Sequence, residues 1–342
     1  MSRLFRTVVR IIFAVLGLAV IVIGGVFVAV NVSPIPFAWY VRKEFGTGVG
    51  VEPVTPAIYR ELSQKIRVEK DIEYPSQLSR NRLDVFSPKD VTGPHPTILW
   101  PHGGGFVGGD KAGLETWATM IPARGYTIVS INYALAPDNL YPGPIIQLGE
   151  VYEFLKRDPQ RFPTVDLHRL IIGGDSAGAQ IASQFTALQT NAELARSMPL
   201  GAVVPKEDLI AVILYCGPYD LRSLYNSGSW FGRFFVRQIG WAYFGIRHWR
   251  DTPQAAQAST VDHMTPDYPA TFITDGNSGS FEPDARKLEA KLKENGVYVD
   301  SLYYPVEHGK LGHEYQLDFS IPESIECYNR TLAFLDKVTA GK

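Results

Sequence analysis

Residues 174–178 read G-D-S-A-G, with one serine between glycines that stand two residues to either side of it. The short apolar run 170–172 precedes this stretch, and apolar side chains recur after it at helical spacing. We therefore expect Ser176 on a sharp turn from a strand into a helix, where glycine avoids a Cβ clash. Such a turn is typical of a nucleophile elbow, which lifts a serine hydroxyl above the edge of a sheet.

The chain around this turn alternates between short apolar runs and helix-length segments. The strand-like runs are 82–86, 97–100, 126–131, 170–172, 211–215, 270–274 and 299–304. This alternation predicts an α/β fold with a mostly parallel central sheet that carries helices on both faces. Catalytic groups in such sheets lie beyond the carboxyl ends of the strands, which is where Ser176 is expected.

The N-terminal region carries an apolar stretch long enough to cross a bilayer. Ile11–Val30 comprises 20 residues without a charge, and arginines stand before it at positions 3, 6 and 10. The length favours an uncleaved transmembrane signal anchor over residues 1–31, with a cleaved signal peptide as the alternative. The positive-inside rule predicts a cytoplasmic N-terminus and an extracytoplasmic catalytic domain.

We expect three parts in the chain. Residues 1–31 are the cytoplasmic stub and anchor, residues 32–70 a linker with an N-terminal lid helix, and residues 71–342 the catalytic domain. An aromatic-rich lid insertion at about 221–260 is expected to form part of an acyl or alcohol pocket, together with the N-terminal helix. The net charge of −2, without a basic stripe, argues against a nucleic-acid partner.

The cysteine content is low. The sequence has two cysteines, Cys216 and Cys327. They could pair in an oxidising compartment, but Cys216 stands in an apolar strand and is better interpreted as a buried small hydrophobe.

A glycine-rich stretch follows the run 97–100. Residues 102–106 read H-G-G-G-F, and three consecutive glycines leave backbone N–H groups unshielded. An acyl-transfer enzyme needs such donors for the oxyanion of its tetrahedral intermediate. The pattern predicts an oxyanion hole made of the N–H groups of Gly104, Gly105 and Ala177. A phosphate-binding loop is the alternative, but no Gly-Lys-Ser/Thr follows.

Three motifs in order resemble the hormone-sensitive-lipase-like esterases. They are H-G-G-G-F at 102–106, N-Y-A-L-A-P-D at 132–138 and G-D-S-A-G at 174–178. The family usually has arginine where Ala134 stands and glutamate where Asp138 stands. The resemblance extends from about Asp71 to Val338. It implies an α/β-hydrolase fold with a small helical lid, hydrolysis of short-chain carboxylic esters and no cofactor.

A serine hydroxyl needs a base, and in this fold the histidine follows the serine and the acid in the chain. The segment after the last predicted strand offers His308 and His313. His313, in G-H-E-Y-Q, is preferred because it most resembles the family motif, and His308 is the alternative. The two histidines could be metal ligands, but no third ligand and no H-E-x-x-H motif is evident, so no metal is expected.

The sequence departs from the family pattern at the position of the acid that orients the catalytic histidine. Relatives carry a segment like G-N-x-D-P-L, and the expected aspartate corresponds to Gly279 here. Glu282 is the preferred replacement, because its longer side chain could reach the imidazole from one helical turn further on. Asp275 at the strand end and Asp220 after the preceding strand are the alternatives, and Asp220 is more typical of a loop cap.

These residues predict a serine carboxylic-ester hydrolase that works through an acyl-enzyme on Ser176. The substrate is expected to be a small-molecule, lipid or glycan ester, with a short acyl or acetyl group. The missing aspartate at Gly279 leaves open a weakened or inactive hydrolase that serves as a binding module. An amidase or thioesterase is a further alternative, since the same triad serves any acyl transfer. The oligomeric state stays open.

Overall fold

The computed structural model describes residues 3–46, 55–91, 93–226 and 228–340. Eight strands form one sheet in the order β1-β2-β4-β3-β5-β6-β7-β8. The strands are β1 (Ile66–Glu73), β2 (Arg82–Pro88), β3 (His95–Pro101), β4 (Thr127–Ile131), β5 (Val165–Asp175), β6 (Leu209–Tyr215), β7 (Ala270–Thr274) and β8 (Val299–Leu302). Only the pairs β1–β2 and β2–β4 are antiparallel among the strands described. The mostly parallel sheet predicted from the sequence is therefore confirmed.

Helices cover both faces of this sheet. They are α1 (Arg3–Val32), α2 (Ile35–Phe45), α3 (Tyr59–Ser63), α4 (Glu115–Met120), α5 (Gly143–Arg157), α6 (Ala177–Thr190), α7 (Ala192–Ser197), α8 (Leu221–Leu224), α9 (Trp230–Phe244), α10 (Pro253–Ala258), α11 (Glu282–Glu294) and α12 (Pro322–Thr339). One core contains side chains of α2, α5, α6, α9 and α11, and the other contains those of α3, α4 and α12. The α/β-hydrolase architecture follows from these two layers around one sheet.

The sheet begins earlier in the chain than residue 71, the start predicted for the catalytic domain. Strand β1 starts at Ile66, and its register with β2 shifts between Glu69 and Ile72. Most of its side chains are exposed or half-buried, because it is an edge strand. The continuous apolar runs that mark the inner strands are absent from β1, and the sequence pattern therefore missed it.

The N-terminal helix α1 lies outside both cores except at its C-terminal end, where Val30 packs against the first core. Within its segment Phe5–Val32, an 18-residue window has a mean hydropathy of 3.0 and is not buried against the rest of the chain. The segment's length of 28 residues corresponds to about 42 Å of helix, enough to span a hydrocarbon core. By length and composition it is consistent with either a membrane anchor or a signal sequence.

Helix α2 follows α1 after Ser33 and Pro34 and packs on the catalytic domain. The guanidinium of Arg42 donates from Nε to Val107 O (2.7 Å) and from Nη2 to Ala136 O (2.8 Å). Its Nη1 also contacts Asp138 Oδ2 at 3.0 Å. The region 32–70 is predicted as a linker with one lid helix; its described residues, 32–46 and 55–70, contain the two helices α2 and α3. Helix α2 is fixed to the loops that follow β3 and β4.

The insertion at about 221–260 contains α8, α9 and α10. The second half of α9 turns inward, and Ile239, Tyr243 and Phe244 are buried. Its C-terminus has Gly245 in the left-handed region, with φ of 71°.

The two cysteines, Cys216 and Cys327, are both buried and free, so they act as small core residues.

Candidate active site

Ser176 lies between the end of β5 and the start of α6, in a backbone conformation that is unfavourable for a side chain. Its φ is 51° and its ψ is −119°. A Cβ at Gly174 would lie 2.3 Å from Gly178 O, and a Cβ at Gly178 would lie 2.0 Å from Pro101 O. The Ser176 N–H donates to Tyr215 O on β6 at 2.8 Å, which fixes the turn. Strain of this kind is typical of functional sites.

The imidazole of His313 reaches this serine from the loop after β8. His313 Nε2 lies 2.8 Å from Ser176 Oγ, within hydrogen-bond distance. Burial lowers the pKa of His313 to about 4, because the desolvated ring resists a positive charge. The imidazole is therefore neutral at pH 7 and has a lone pair available to accept the serine proton.

The other ring nitrogen of His313 contacts a serine rather than a carboxylate. Its Nδ1 lies 2.7 Å from Ser280 Oγ, and the Ser280 hydroxyl donates to Asp275 Oδ1. A hydroxyl has one proton, so Ser280 accepts from His313 Nδ1–H while it donates to Asp275. This order leaves Nε2 unprotonated, which is the tautomer that a general base for Ser176 requires.

Asp275, at the end of β7, is almost completely buried. Its Oδ1 also accepts from the backbone N–H of Gly276 at 2.7 Å, whereas Oδ2 has no hydrogen-bond partner among the described residues. Burial raises the pKa of Asp275 well above its ordinary value, and the hydrogen bond from Ser280 opposes that rise. The carboxyl group is thus connected to His313 through one intervening hydroxyl.

The structure does not bring Glu282, the preferred acid, to His313. Glu282 is the first residue of α11, and its Oε1 accepts from Arg286 Nε at 2.7 Å, one turn along the same helix. Gly279 is in the left-handed region with φ of 65°, and the chain bends there. This bend directs Ser280, rather than Glu282, toward the imidazole.

The other two alternatives also have partners elsewhere. Asp220 caps α8 by accepting from Ser223 N at 3.2 Å and pairs with Lys287. His308 Nε2 lies 2.7 Å from Glu323 Oε1 on α12, at the surface. Neither side chain contacts His313 or Ser176, and the capping role expected for Asp220 matches its geometry.

The glycine loop after β3 adopts a conformation that only glycine takes readily. Gly104 has φ of 115° and Gly105 has φ of 60°. Val107 N and Gly108 N both donate to Gly104 O, at 3.2 and 2.9 Å, which closes the loop on itself. The N–H groups of Gly104 and Gly105 donate no hydrogen bond to any described residue. They are free to serve a ligand beside Ala177, the first residue of α6.

A buried pair of carboxyl groups holds the glycine loop, the elbow and the histidine loop together. Asp175 accepts from Trp100 Nε1 at 2.7 Å and from Gly103 N at 2.8 Å. Its third partner is the carboxyl of Glu314, the neighbour of His313. Burial raises the pKa of both groups; the negative charge of Asp175 raises that of Glu314 further, whereas hydrogen bonds from Trp100, Gly103 and Glu314 oppose the rise at Asp175. The residues next to Ser176 and His313 are thereby linked directly.

Sequence reasoning missed the role of Ser280. A serine in the segment 276–284 carries no distinctive signal, since serine is common in loops. The only indication was the glycine at position 279, which removes the expected aspartate without marking its replacement. Asp275 was weighed as an alternative because it stands at a strand end.

Comparison with known proteins supports the architecture around this site. The family model BD-FAE matches residues 83–290, more than half of the chain. An acetyl esterase of Salmonella choleraesuis (strain SC-B67) is 25% identical over 232 residues, which cover 65% of this chain and 66% of that protein. The chain therefore matches just under two thirds of the length of this relative.

Solved structures of esterases share the fold. Esterase B of Lactobacillus Rhamnosis (HN001) has a TM-score of 0.71 and 21% identity, covering 92% of this chain and 95% of that chain. A second structure of the esterase, inhibited by a C4-C4 SN3 tributyrin phosphonate, has a TM-score of 0.69 and 22% identity, covering 92% and 96%. The chain thus belongs to the BD-FAE family and has the α/β-hydrolase fold.

Proposed function

We propose that this protein is a serine carboxylic-ester hydrolase that acts through an acyl-enzyme on Ser176. The observation that carries the proposal is the hydrogen-bonded chain from Ser176 Oγ through His313 and Ser280 to Asp275. Ser176 and His313 are the catalytic residues, and Ser280 and Asp275 are positioning residues that act through the imidazole. Asp275 takes the place that the sequence assigned to Glu282.

The reaction follows from the positions of these groups. Ser176 Oγ attacks the ester carbonyl while its proton moves to His313 Nε2. The positive charge on the ring is stabilised at Nδ1 through Ser280 and Asp275. The carbonyl oxygen becomes an oxyanion, which the N–H groups of Gly104, Gly105 and Ala177 receive. Nε2 then returns the proton to the leaving alcohol, and the C–O bond to that alcohol breaks.

Water completes the cycle in the same geometry. His313 Nε2 removes a proton from water as its oxygen attacks the acyl carbonyl of the Ser176 ester. The tetrahedral species collapses, the bond to Ser176 Oγ breaks, and Oγ regains the proton from Nε2. One ester and one water give one carboxylic acid and one alcohol, without a cofactor.

Short acyl groups, acetyl among them, are the proposed substrates. The relatives named acetyl esterases support this choice, as does the tributyrin phosphonate bound by esterase B. Bulky side chains near the glycine loop also restrict the space: a Cβ at Gly105 would lie 3.8 Å from Phe45 and 3.9 Å from Ile239. A long acyl chain directed at this side of the loop would meet α2 and α9.

We propose α1 as a single-pass anchor, with the N-terminus in the cytoplasm and the catalytic domain outside it. The support is its apolar length and the arginines at 3, 6 and 10, which flank its N-terminal end. The substrate would then be an ester of a small molecule, lipid or glycan at that membrane surface. A cleaved signal peptide would instead release the domain.

Intact mass after exposure of the full chain to a fluorophosphonate tests the proposal, because this reagent reports activated serines. We expect one adduct on the wild type, none on Ser176→Ala and very slow labelling of His313→Ala. His308→Ala is the matched control and should label like the wild type. No adduct on folded wild-type protein would contradict the proposal and favour the binding-module alternative.

Turnover then distinguishes the acyl-transfer classes. Acetate and butyrate esters of 4-nitrophenol should be hydrolysed by the wild type and spared by Ser176→Ala. Matched acetanilides and acetyl thioesters should be hydrolysed more slowly. Preference for the anilide or the thioester would replace the ester hydrolase with the amidase or thioesterase alternative.

A further inference from the structure

Exposed apolar side chains gather on two helices beside the end of α1. They are Ile35, Trp39 and Tyr40 of α2, and Trp230 and Phe231 of α9, and each is more than half exposed. The two tryptophans are 63% and 74% exposed, although tryptophan is normally among the well-buried residues of a domain. We call these five residues the aromatic face.

Ring contacts join the two helices into one surface. Phe37 of α2 meets Phe234 of α9 edge to face, with ring centroids 5.1 Å apart. Trp230 stacks on Phe234 at 6.1 Å, and Tyr40 lies 6.3 Å from Phe37. The exposed rings of Tyr40 and Trp230 therefore rest on the contacting pair Phe37 and Phe234, which joins α2 to α9.

The end of α1 is fixed to the same structure. Gln238 of α9 donates to Val30 O at 3.0 Å, and Arg247 donates to Asn31 Oδ1 at 3.2 Å. Helix α2 begins three residues after α1 ends. A helix that crosses a bilayer leaves it at the headgroup level, so these bonds would hold α2 and α9 at that level.

The chemistry of the aromatic face suits a lipid surface. Trp and Tyr concentrate at membrane interfaces, where one end of the ring system is apolar and the other polar. Cations accompany the rings: Lys43 Nζ lies 5.9 Å from the Trp39 ring, and Arg247 lies over Trp241 at 5.4 Å. Aromatic and basic side chains together are typical of helices that lie in the plane of a membrane.

We propose that the aromatic face lies in the interface of the bilayer that α1 crosses, with phospholipid as its partner. The inference rests on the anchor stated under the proposed function. It goes further, because a domain on a flexible tether would need no such face. The helices α2 and α9 that carry it also place Phe45 and Ile239 near Gly105, so the oxyanion loop would lie directly behind the lipid-facing layer.

Fluorescence quenching of the full chain in vesicles tests this position. The protein is reconstituted in phosphatidylcholine and phosphatidylglycerol whose acyl chains carry bromine, and in matched vesicles without bromine. The emission of Trp39 and Trp230 is obtained as the difference between wild type and the double variant Trp39→Phe, Trp230→Phe. We expect bromolipid to remove most of this difference and aqueous iodide to leave most of it.

A tryptophan on the opposite helical layer is the matched control. Ile325 is 44% exposed on α12, which belongs to the core on the other side of the sheet. The emission that Ile325→Trp adds should be quenched by iodide and spared by bromolipid. This contrast separates contact of one face from general proximity to the vesicle.

Other results overturn the proposal. Quenching of Trp39 and Trp230 by iodide alone would mean that the face is in water, and resistance to both quenchers would mean a protein contact such as a second copy. Release of the chain from vesicles by alkaline carbonate would remove the anchor and the proposal with it. Fluorophosphonate labelling of Ser176 in the same vesicles reports the proposed chemistry separately, since it depends on neither quencher.

Discussion

The two ring nitrogens of His313 contact two parts of the candidate site that differ in construction: Nε2 contacts Ser176, and Nδ1 contacts Ser280. On the Nε2 side, Ser176 stands in a short G-D-S-A-G motif whose glycines are required by contacts of 2.0–2.3 Å that a Cβ would make. On the Nδ1 side, a single hydroxyl, Ser280, separates the ring from Asp275. Backbone crowding around Ser176 allows only glycine at 174 and 178, which produces a motif that can be recognised in the sequence. A hydrogen-bond relay to a histidine can be formed by several combinations of residues, and it produces no such motif.

The difference also concerns charge. Ser176 and the proposed oxyanion donors form a neutral side in the resting protein, because His313 is uncharged at pH 7. The Nδ1 side must stabilise a positive ring once the reaction begins. In a direct triad the acid contacts the imidazole, whereas here the carboxyl group of Asp275 is one hydrogen bond further from the ring. The contribution of each group on this side can be measured separately.

Asp275→Asn is expected to have the largest effect on this side. An amide can donate to Ser280 and reverse the relay, so that Nδ1 accepts and Nε2 carries the proton. Loss of the correct tautomer lowers turnover by about 10⁴-fold in the direct serine protease triad. We expect a loss of kcat/KM approaching that value on 4-nitrophenyl acetate, with an unchanged melting curve. A loss below tenfold would show that Asp275 does not act on His313.

Ser280→Ala should have the next largest effect. It leaves Nδ1–H and a buried carboxylate without their common partner, which costs about 1–3 kcal/mol. This corresponds to a loss of roughly 5- to 150-fold in kcat/KM, without a matching rise in KM. Ser280→Thr keeps the hydroxyl and should restore most of the activity. Equal losses in the alanine and threonine variants would point to packing instead of the relay.

The pH dependence of kcat/KM tests the Nε2 side, because it reports the protonation of His313. The pKa of His313 is lowered to about 4 by burial, so the ring gains a proton only below that pH. Activity should therefore change little from pH 7 down to about 5, fall to about half near pH 4 and then fall about tenfold per unit as the base is protonated. The measurement is kcat/KM against pH, with circular dichroism to monitor folding. An acid limb near 6.5 would mean that water reaches the ring.

Of these substitutions, Glu282→Gln should have the smallest effect on kcat/KM. Its side chain pairs with Arg286 within α11, and such pairs contribute about 0.2–0.5 kcal/mol to helix stability. We expect kcat/KM to change by no more than about twofold. A loss as large as that of Asp275→Asn would restore Glu282 as the acid and imply that the 282 side chain moves to His313 during turnover.

The parts of the fold that follow from local patterns could be predicted from the sequence. The inner strands and the turn at Ser176 have continuous apolar runs and a glycine motif. Strand β1 could not be recognised, because an edge strand buries few side chains. Ser280 could not be assigned, because its role depends on the left-handed bend at Gly279 and on Asp275 five residues earlier.

The position of α2 was equally beyond sequence reasoning. Its contacts with α9 join residues about 200 positions apart, as the ring pair Phe37 and Phe234 shows. Aromatic residues in two helical segments predict that each buries a face, but not that the two faces meet.

The hydrogen bonds of Arg42 have a practical consequence for anyone who prepares a shortened form of this protein. They tie α2 to Val107, directly after the glycine loop, and to Ala136 in the loop after β4. A chain that starts at residue 71 would lose this brace together with β1, and the glycine loop would be exposed to solvent on one flank. A chain that starts at Ser33 removes only α1 and retains the brace. For a preparation without detergent, the best starting point is thus the short junction between α1 and α2.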